Sequence, residues 1–408
     1  MKANVSTKGS TDGTSLIIGT QNTKVLDNKH NGYIVKEVWL NSKESKEFDL
    51  RLWIDYDTTK EQAAGMTYLS QVVIVTEPGI DNTLAGTVLR NNKVQTPLTT
   101  PGAAVSTADE ALLASAEDDY GTSHYFRGAV TNNYVEFANK CWRIVRVGGD
   151  GSVKLILHND NKAGVANPCD AANNSASAAF ARYSGTTYTS KFNEKYDDNA
   201  YVGFKYGTVG ASTYDATHAN TNKSTILTNL EAWYTNNLKT YESVIDDTVW
   251  CNDKTNVTDT TFDPWRMTPN GLGYAKNVTY YGATKRLVGT SGSAGGTGPS
   301  LKCNGELSKI NSKVGLITAD ELAFAGYASL LENTTTYLQE NATDTYWWSL
   351  SPYYFRGGRA FVWYVNGSSG YFGDGYVRDA LGVRPSISLK STTNVTGNGT
   401  SEDPYIIE

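Results

Sequence analysis

Short strand-like runs separated by turn residues dominate this chain of 408 residues. Residues 32–40 (GYIVKEVWL) and 47–57 (EFDLRLWIDYD) alternate apolar and polar side chains, and residues 68–78 (YLSQVVIVTEP) add a β-branched run. Alternation with a period of two is the pattern of a half-buried strand, and turns at these intervals are typical of a small β-sandwich. We therefore predict an immunoglobulin-like β-sandwich over residues 1–95 and a linker over residues 96–115.

Residues 116–408 add helices to the strands, so the predicted fold class of the chain is α+β. A GGDG run at residues 148–151 separates the apolar runs CWRIVRV and SVKLIL and indicates a β-hairpin. The closing runs GVRPSISL and DPYIIE are predicted to be strands. We expect these closing strands to lie beside the strand near residues 126–130 or the one at 142–147.

Two segments of this second half have the features of helices. Residues 224–241 place apolar side chains on one helical face and begin with Ser224, a residue type that caps helix N-termini. Residues 318–326 begin with a capping box formed by Thr318 and Glu321 and end at a glycine. We predict one helix over each segment.

The chain contains four cysteines, and none lies in a C-x-x-C pair. This spacing does not favour zinc, and two disulfides in an exported protein are preferred over four buried thiols. Four cysteines allow three connectivities, and spacing alone cannot choose between them. We favour the pairs Cys141–Cys169 and Cys251–Cys303 because each would close a local insertion.

The composition suits an extracellular protein rich in loops and strands. The formal net charge is −6, which gives no basic signature for nucleic acid. The sequence shows neither an apolar run long enough to span a membrane nor an export signal. We therefore expect attachment to a membrane or cell wall only through a segment absent from this chain.

None of the four histidines, at positions 30, 124, 158 and 218, has a metal-ligating or nucleophilic partner at a recognised spacing. The adjacent Asp320 and Glu321 occupy a first helical turn, where negative charge complements the helix dipole. The sequence thus indicates no catalytic residues, no metal site and no cofactor, and we expect the protein not to be an enzyme.

One stretch, residues 347–389, is crowded with aromatic residues, Gly, Ser, Arg and Asp. Within residues 353–381, nine of 29 residues are aromatic, against 11% in the whole chain, and Lys, Glu, Gln and Met do not occur. A core strand would account for the aromatic residues but not for the Arg, Asp and Gly between them. A binding surface accounts for both, because Tyr and Trp supply rigid contact area while Ser and Gly adapt to the partner.

The same residues fit the products of mutagenesis directed at the adenines of Asn codons. Replacing the adenines of AAC or AAT by any base cannot produce Lys, Glu, Gln, Met or Trp. In residues 353–381 only Trp363 falls outside the set that can be reached. We therefore expect Trp363 to belong to the scaffold rather than to a variable surface.

The motifs YWWSLSP, VWYVNGSSG and GVRPSISL resemble the variable region of proteins diversified by diversity-generating retroelements. Upstream runs such as VWCND, LKCN and KVGLITADELAFAG are similar to surface proteins of Gram-positive gut bacteria with such endings. The resemblance covers roughly residues 116–408. It implies a C-type-lectin-like fold related to formylglycine-generating enzymes, a variable region at about 347–389, and a structural role for Arg384. Residues 1–95 loosely resemble immunoglobulin-like stalk or pilus-type domains.

The resemblance also implies an extracellular, cell-surface protein whose C-terminal domain recognises a protein or cell-surface ligand. The variable positions are expected to form one contiguous surface with a large aromatic area, and the glycine-rich segments 357–358 and 373–375 are expected to be loops. The predicted ligand-binding residues are Tyr354, Phe355, Arg356, Arg359, Tyr371, Phe372, Asp374, Tyr376, Arg378 and Asp379.

Two other interpretations stay open. The protein is a structural adhesin or pilus subunit if the aromatic stretch is only core. Solvent exposure distinguishes that interpretation from ligand binding at Tyr354, Arg356, Tyr371, Asp374 and Arg378. A formylglycine-generating-type oxidase would need a reactive cysteine pair in a cleft, and the cysteines of this chain do not follow the frame of that family.

Overall fold

The computed structural model describes residues 2–9, 16–17, 23–25, 31–33, 46–53, 56–64, 81–102 and 110–407. Contacts divide the chain into two compact units, Met1–Asp81 and Asn82–Glu408. The fold is mixed α+β, with mostly strands and few helices, which confirms the predicted class. The boundary between the units precedes residue 95, the predicted end of the first domain, and a strand that begins inside the predicted linker, at Ala111, belongs to the second unit.

The first unit contains a three-stranded antiparallel sheet in the order β2-β1-β5, and β3 pairs with β4. Its elements are β1 (Lys2–Thr7), β2 (Leu16–Ile17), β3 (Thr23–Val25), β4 (Asn31–Tyr33), β5 (Phe48–Trp53) and α1 (Lys60–Ala63). Strands β4 and β5 fall within two of the predicted strand runs, 32–40 and 47–57, apart from the first residue of β4. The third predicted run, 68–78, lies outside the described residues.

The second unit contains the remaining helices and strands. Its α-helices are α2 (Leu84–Asn91), α3 (Tyr214–His218), α4 (Thr225–Asn237), α5 (Gly282–Leu287) and α6 (Ala319–Ala325). Its first strands are β6 (Ala111–Asp118), β7 (Gly121–Gly128), β8 (Tyr134–Phe137), β9 (Lys140–Val147), β10 (Val153–Asn159), β11 (Thr189–Ser190), β12 (Lys205–Tyr206), β13 (Asn222–Lys223) and β14 (Val249–Cys251). Its later strands are β15 (Thr279–Tyr280), β16 (Lys309–Asn311), β17 (Trp347–Arg356), β18 (Arg359–Val365), β19 (Phe372–Tyr376), β20 (Leu381–Gly382), β21 (Ser386–Leu389), β22 (Val395–Thr396) and β23 (Tyr405–Ile407).

The larger sheet follows the order β21-β10-β9-β8-β23-β22, with β7 joining β9 and β6 joining β7. The hairpin predicted at the GGDG run is confirmed, since it connects β9 to β10. The predicted neighbours of the closing strands are wrong, because β21 pairs with β10 and β23 pairs in parallel with β8. Strands β10 and β8 already occupy the two edges of β9, and β7 lies between β6 and β9, so the closing strands attach one strand further out.

Both predicted helices are present. Helix α4 begins after Ser224, whose hydroxyl accepts a hydrogen bond from the Leu227 N–H, and a short 3₁₀ turn follows it over Lys239–Tyr241. Helix α6 has the predicted capping box. The apolar face of α4 is buried, and Trp233 on that face packs edge-on against Trp142 of β9. The two helices form because their local capping and periodicity agree with the core they cover.

Both predicted disulfides are confirmed. Cys141 of β9 is bonded to Cys169 with a Cα–Cα distance of 4.9 Å, and Cys251 of β14 is bonded to Cys303 at 5.5 Å. All four cysteines are therefore paired. Disulfides persist in oxidising compartments, so this pairing is consistent with an extracellular location.

A second sheet, in the order β11-β20-β17-β18-β19 with β15 on β17, contains the aromatic stretch. Pairing of β17 with β18 is irregular on both sides of Pro352, which has no N–H to donate to the ladder. The buried side chains of this sheet and those of the larger sheet of the second unit belong to one large core. No helix in the described ranges is long and apolar enough to cross a membrane.

Arg384 anchors the C-terminal part of the aromatic stretch in the protein interior. Its side chain is buried, its Nε donates to the carbonyl oxygen of Leu157 at 2.8 Å, and its Nη1 donates to the carbonyl of Leu338. The structural role implied by the resemblance is confirmed, because this guanidinium bonds buried backbone rather than solvent or a surface group.

Candidate ligand-binding surface

Strands β17 and β18 are joined by a two-residue turn made of Gly357 and Gly358. Their φ angles are +55° and +70°, and positive φ at both central residues is what a type I′ turn requires. The loop predicted at residues 357–358 is confirmed. The turn places Arg356 and Arg359 directly opposite each other as cross-strand partners.

The second predicted loop, at residues 373–375, is wrong because these residues lie inside β19. A Cβ added at Gly375 would lie 2.7 Å from the Trp348 ring. Gly375 is therefore required for the close approach of a tryptophan to the strand, which is one of the positional uses of glycine within sheets.

Three predicted ligand-binding residues are buried, which corrects that part of the prediction. Tyr354 is 3% exposed, and Phe355 and Phe372 are fully buried. Strand β15 pairs with β17 at Tyr354 and Phe355, and the rings of Trp265 and Tyr280 pack against Tyr354. Phe372 packs against Trp363 with ring centroids 4.5 Å apart. These three residues are core, as is Trp363, whose predicted scaffold role agrees with its complete burial.

The other seven predicted residues reach the surface to different extents. Four are exposed, namely Arg356, Arg359, Arg378 and Asp379, and three are half-buried, namely Tyr371, Asp374 and Tyr376. Tyr371 lies in the connection between β18 and β19, at the end of these strands opposite to the arginines. The structure therefore brings the three arginines together with Tyr376 and leaves Tyr371 apart.

The arginines lie on a row of aromatic rings that crosses the strands, and we call this surface the arginine–aromatic face. It is formed by Tyr196, Arg356, Arg359, Phe361, Tyr376 and Arg378, with the buried ring of Tyr354 beneath Arg356. Neighbouring ring centroids are 4.8 Å apart from Tyr354 to Phe361, 5.4 Å from Phe361 to Tyr376, and 5.0 Å from Tyr376 to Tyr196. Cross-strand pairing accounts for the first two contacts, because Phe361 lies opposite both tyrosines.

Each guanidinium of the face lies over a tyrosine ring. The distance to the ring centroid is 4.9 Å from Arg356 to Tyr354 and 5.3 Å from Arg359 to Tyr376. Arg378 lies 4.8 Å from Tyr376 and 4.6 Å from Tyr196. Cation–π attraction therefore holds the three charges at the surface of the sheet.

No described carboxylate forms an ion pair with Arg356, Arg359 or Arg378; Arg356 instead donates to the Met267 sulfur at 3.5 Å. The closest acidic group of β19, Asp374, accepts a hydrogen bond from the Tyr354 hydroxyl at 2.8 Å. Burial raises the pKa of Asp374, against the opposing effects of Tyr354 and Arg356. The positive charge of the face is thus not neutralised by salt bridges within the described structure.

Three residues that form or support this surface were not predicted from the sequence. Phe361 shares its face with Arg359 through the period-two alternation of a strand, a signal that was present in the sequence. Tyr196 and Trp265 carry no such signal. Tyr196 reaches the face because its carbonyl accepts a hydrogen bond from the Ala360 N–H, and Trp265 packs edge-on against Tyr354.

A cavity of about 370 Å³ lies elsewhere in the second unit, lined mainly by charged side chains. Its ion pairs are Arg146–Asp118, Arg146–Glu321, Lys154–Glu321, Arg286–Asp320 and Arg286–Asp253, with N···O distances between 2.6 and 3.0 Å. The Cys251–Cys303 disulfide is part of the lining. Apart from the helix-dipole explanation of Asp320 and Glu321, no sequence pattern indicated this cluster, since its members come together only in three dimensions. Because these charges pair with one another, the cluster is accounted for as structure.

Two of the histidines lie in the interior. Burial lowers the pKa of His158 well below its ordinary value and that of His218 to about 3. Within the described ranges, no group of three or more His, Cys, Asp and Glu residues is suited to hold a metal ion. His30 lies outside the described residues.

One family model, described as a domain of unknown function (DUF6273), matches residues 282–391. The matched segment runs from helix α5 through the aromatic stretch to β21. Comparisons with curated proteins and with solved structures find no match. The match therefore marks this part of the second unit as a recurring domain without assigning an activity to it.

Proposed function

We propose that this protein is an extracellular, surface-displayed ligand-binding protein of the variable type, and that the arginine–aromatic face contacts a protein or cell-surface ligand. One observation carries the proposal. Exposed arginines without ion-pair partners in the described structure lie in the stretch whose composition fits adenine-directed mutagenesis. A C-type-lectin-like fold for residues 116–408 and an immunoglobulin-like fold for residues 1–95 belong to the same proposal.

The burial pattern supports a division between fixed and variable positions. Trp363, which mutagenesis of an Asn codon cannot produce, is fully buried. Arg356, Arg359 and Arg378 can be produced in this way, and they are exposed. A variable surface requires such a division, because replacing exposed side chains usually changes stability by less than replacing core side chains.

A structural adhesin or pilus subunit is the competing function. The burial of Tyr354, Phe355 and Phe372 is what that alternative expects. It gives no reason for three exposed arginines stacked over an aromatic row, whereas binding surfaces are enriched in Tyr and Arg. The arginines therefore favour ligand binding.

The oxidase alternative would have to use the Cys251–Cys303 pair beside the charged cavity. The buried charges of that cavity, Lys154, Asp253, Asp320 and Glu321, are held in ion pairs, and both cysteines are in a disulfide. We therefore keep a non-enzymatic function in the proposal. Incubation with a thiol-containing peptide and oxygen, followed by mass spectrometry, should leave the peptide unoxidised.

The variable-protein proposal is tested on the DNA that flanks the coding sequence. We expect a reverse transcriptase gene and a near-copy of codons 347–389 that differs from them only at adenines. Deep sequencing of a cell population should then show variation concentrated at the codons of exposed residues and absent from the codon of Trp363. A locus without such a copy, and codons that do not vary, would contradict the proposal.

A further inference from the structure

We infer that the ligand of the arginine–aromatic face is a protein surface that presents clustered carboxylates. The inference rests on the proposed ligand-binding function and adds the chemical class of the ligand. It follows from three observations: the three arginines lie close together, no described carboxylate forms an ion pair with them, and their guanidinium groups cover the tyrosine rings.

The sheet places the three arginines side by side. Arg356 is the cross-strand partner of Arg359. Phe361 lies opposite Tyr376, and the guanidinium groups of Arg359 and Arg378 both lie over the Tyr376 ring, at 5.3 and 4.8 Å from its centroid. Since neighbouring strands are about 4.8 Å apart, three positive charges lie within a band roughly 10 Å wide.

Like charges directly opposite each other destabilise a sheet, and no salt bridge from a described carboxylate relieves this arrangement. Asp379 is close enough to Arg378 to affect its own titration but forms no ion pair with it. The whole chain has a net charge of −6, so the charge of this band is opposite in sign to that of the whole chain. A ligand with carboxylates would supply the missing counter-charges through paired hydrogen bonds to each guanidinium.

The aromatic row favours a protein over an acidic polysaccharide. Sugars are held on aromatic side chains by lying flat on an open ring face. Here a guanidinium already lies over Tyr354, Tyr376 and Tyr196, and Phe361 and Tyr376 stack on each other with an interplanar angle of 29°. The side chains that remain free to bind are the arginines, so recognition is through carboxylates presented by side chains of another protein.

The test measures binding of poly-L-glutamate and of polygalacturonate, matched in carboxylate number, to the full chain by biolayer interferometry at low and physiological ionic strength. The test variant is Arg356→Gln/Arg359→Gln/Arg378→Gln. The control variant is Lys162→Gln/Lys276→Gln/Lys302→Gln, which removes the same charge from exposed lysines outside the face. Thermal melting of each variant shows whether it is folded.

We expect the wild-type chain and the control variant to bind poly-L-glutamate equally. The arginine-to-glutamine variant should bind it at least about tenfold more weakly while still folded. Replacing the three arginines by lysine should weaken binding less than replacing them by glutamine, because charge is kept but the planar fork is lost. The inference is overturned if poly-L-glutamate does not bind or if polygalacturonate binds better than poly-L-glutamate. It is also overturned if the control variant, Lys162→Gln/Lys276→Gln/Lys302→Gln, loses as much affinity as the arginine-to-glutamine variant. None of these outcomes alters the test on the flanking DNA, so failure of the carboxylate-ligand inference can be distinguished from failure of the proposed function.

Discussion

Arg356 and Arg359 are direct cross-strand partners on either side of a two-glycine turn, with no carboxylate of the described structure paired to either. Like charges directly opposite each other destabilise a sheet. Places where a sequence violates a local rule of stability are expected at functional sites. This pair is therefore the local reason to regard the end of the β17–β18 hairpin as a site rather than as scaffold.

The first prediction separates the face from the core beneath it. Replacing Arg356, Arg359 and Arg378 together by serine should leave the free energy of unfolding unchanged within about 1 kcal/mol or raise it slightly, because repulsion is removed. Replacing Trp363 by alanine should cost about 3–5 kcal/mol, because the indole is fully buried. Urea denaturation followed by tryptophan fluorescence and circular dichroism measures both. An unfolded arginine variant would show that the face is structural.

A second prediction concerns the turn that sets the register of the arginines. Gly357 has a positive φ and no neighbouring atom that an added Cβ would meet. The Gly357→Asn variant should be nearly neutral, since Asn accepts this conformation, whereas Gly357→Val should cost about 1–2 kcal/mol. Melting temperatures of the two variants make the comparison. Equal stability of both would argue against a left-handed conformation at this position.

The third prediction uses the two disulfides, which close loops of different length. The sequence separations are 28 residues for Cys141–Cys169 and 52 residues for Cys251–Cys303. On the chain-entropy model, removing either pair by Cys→Ala should cost roughly 3–4 kcal/mol, with the longer loop about 0.5 kcal/mol higher. Urea denaturation of the two double variants gives the order. A larger loss for Cys141–Cys169 would show that packing of this buried pair outweighs loop entropy.

Features governed by neighbouring residues were predictable from the sequence. The capping box of α6, the cap at Ser224, the GGDG hairpin and the turn at residues 357–358 each depend on a few adjacent side chains. The disulfides were also predicted, although spacing alone left three pairings open. These predictions depend on interactions between residues close in sequence, and the folded protein keeps those interactions.

Features that depend on distant segments were not predictable. Tyr354 is buried because Trp265 and Tyr280, far upstream in the chain, pack their rings against it. Gly375 suggested a loop, yet it lies in a strand beneath Trp348. The binding residues were consequently predicted as one surface, whereas the structure separates them into four exposed charged residues, three half-buried residues and three buried aromatic residues.

The last prediction concerns the buried ion cluster around Glu321. One carboxylate oxygen of Glu321 is 2.6 Å from the Lys154 ammonium and 3.0 Å from the Arg146 guanidinium, while the other accepts a hydrogen bond from the Thr318 N–H. Burial alone would raise the pKa of Glu321, but Lys154 and Arg146 outweigh burial and hold this pKa at about 2. The folded protein thus keeps Glu321 ionised where the unfolded chain would protonate it.

The Glu321→Gln variant retains an oxygen for the cap and removes only the charge, leaving the buried Lys154 ammonium and the half-buried Arg146 guanidinium short of a counter-charge. We expect it to lose about 3–5 kcal/mol of unfolding free energy at pH 7. Because the folded pKa lies below the unfolded value, near 4.3, the contribution of Glu321 is complete above that pH and is lost as pH falls towards 2. The gap between wild type and variant, measured by urea denaturation at pH 7, 4 and 3, should therefore shrink on acidification. Glu306→Gln, which removes an exposed partner of Lys309, is the matched control and should cost less than about 1 kcal/mol. A Glu321→Gln variant as stable as this control, or a gap that does not change with pH, would show that the cluster does not stabilise the fold in this way.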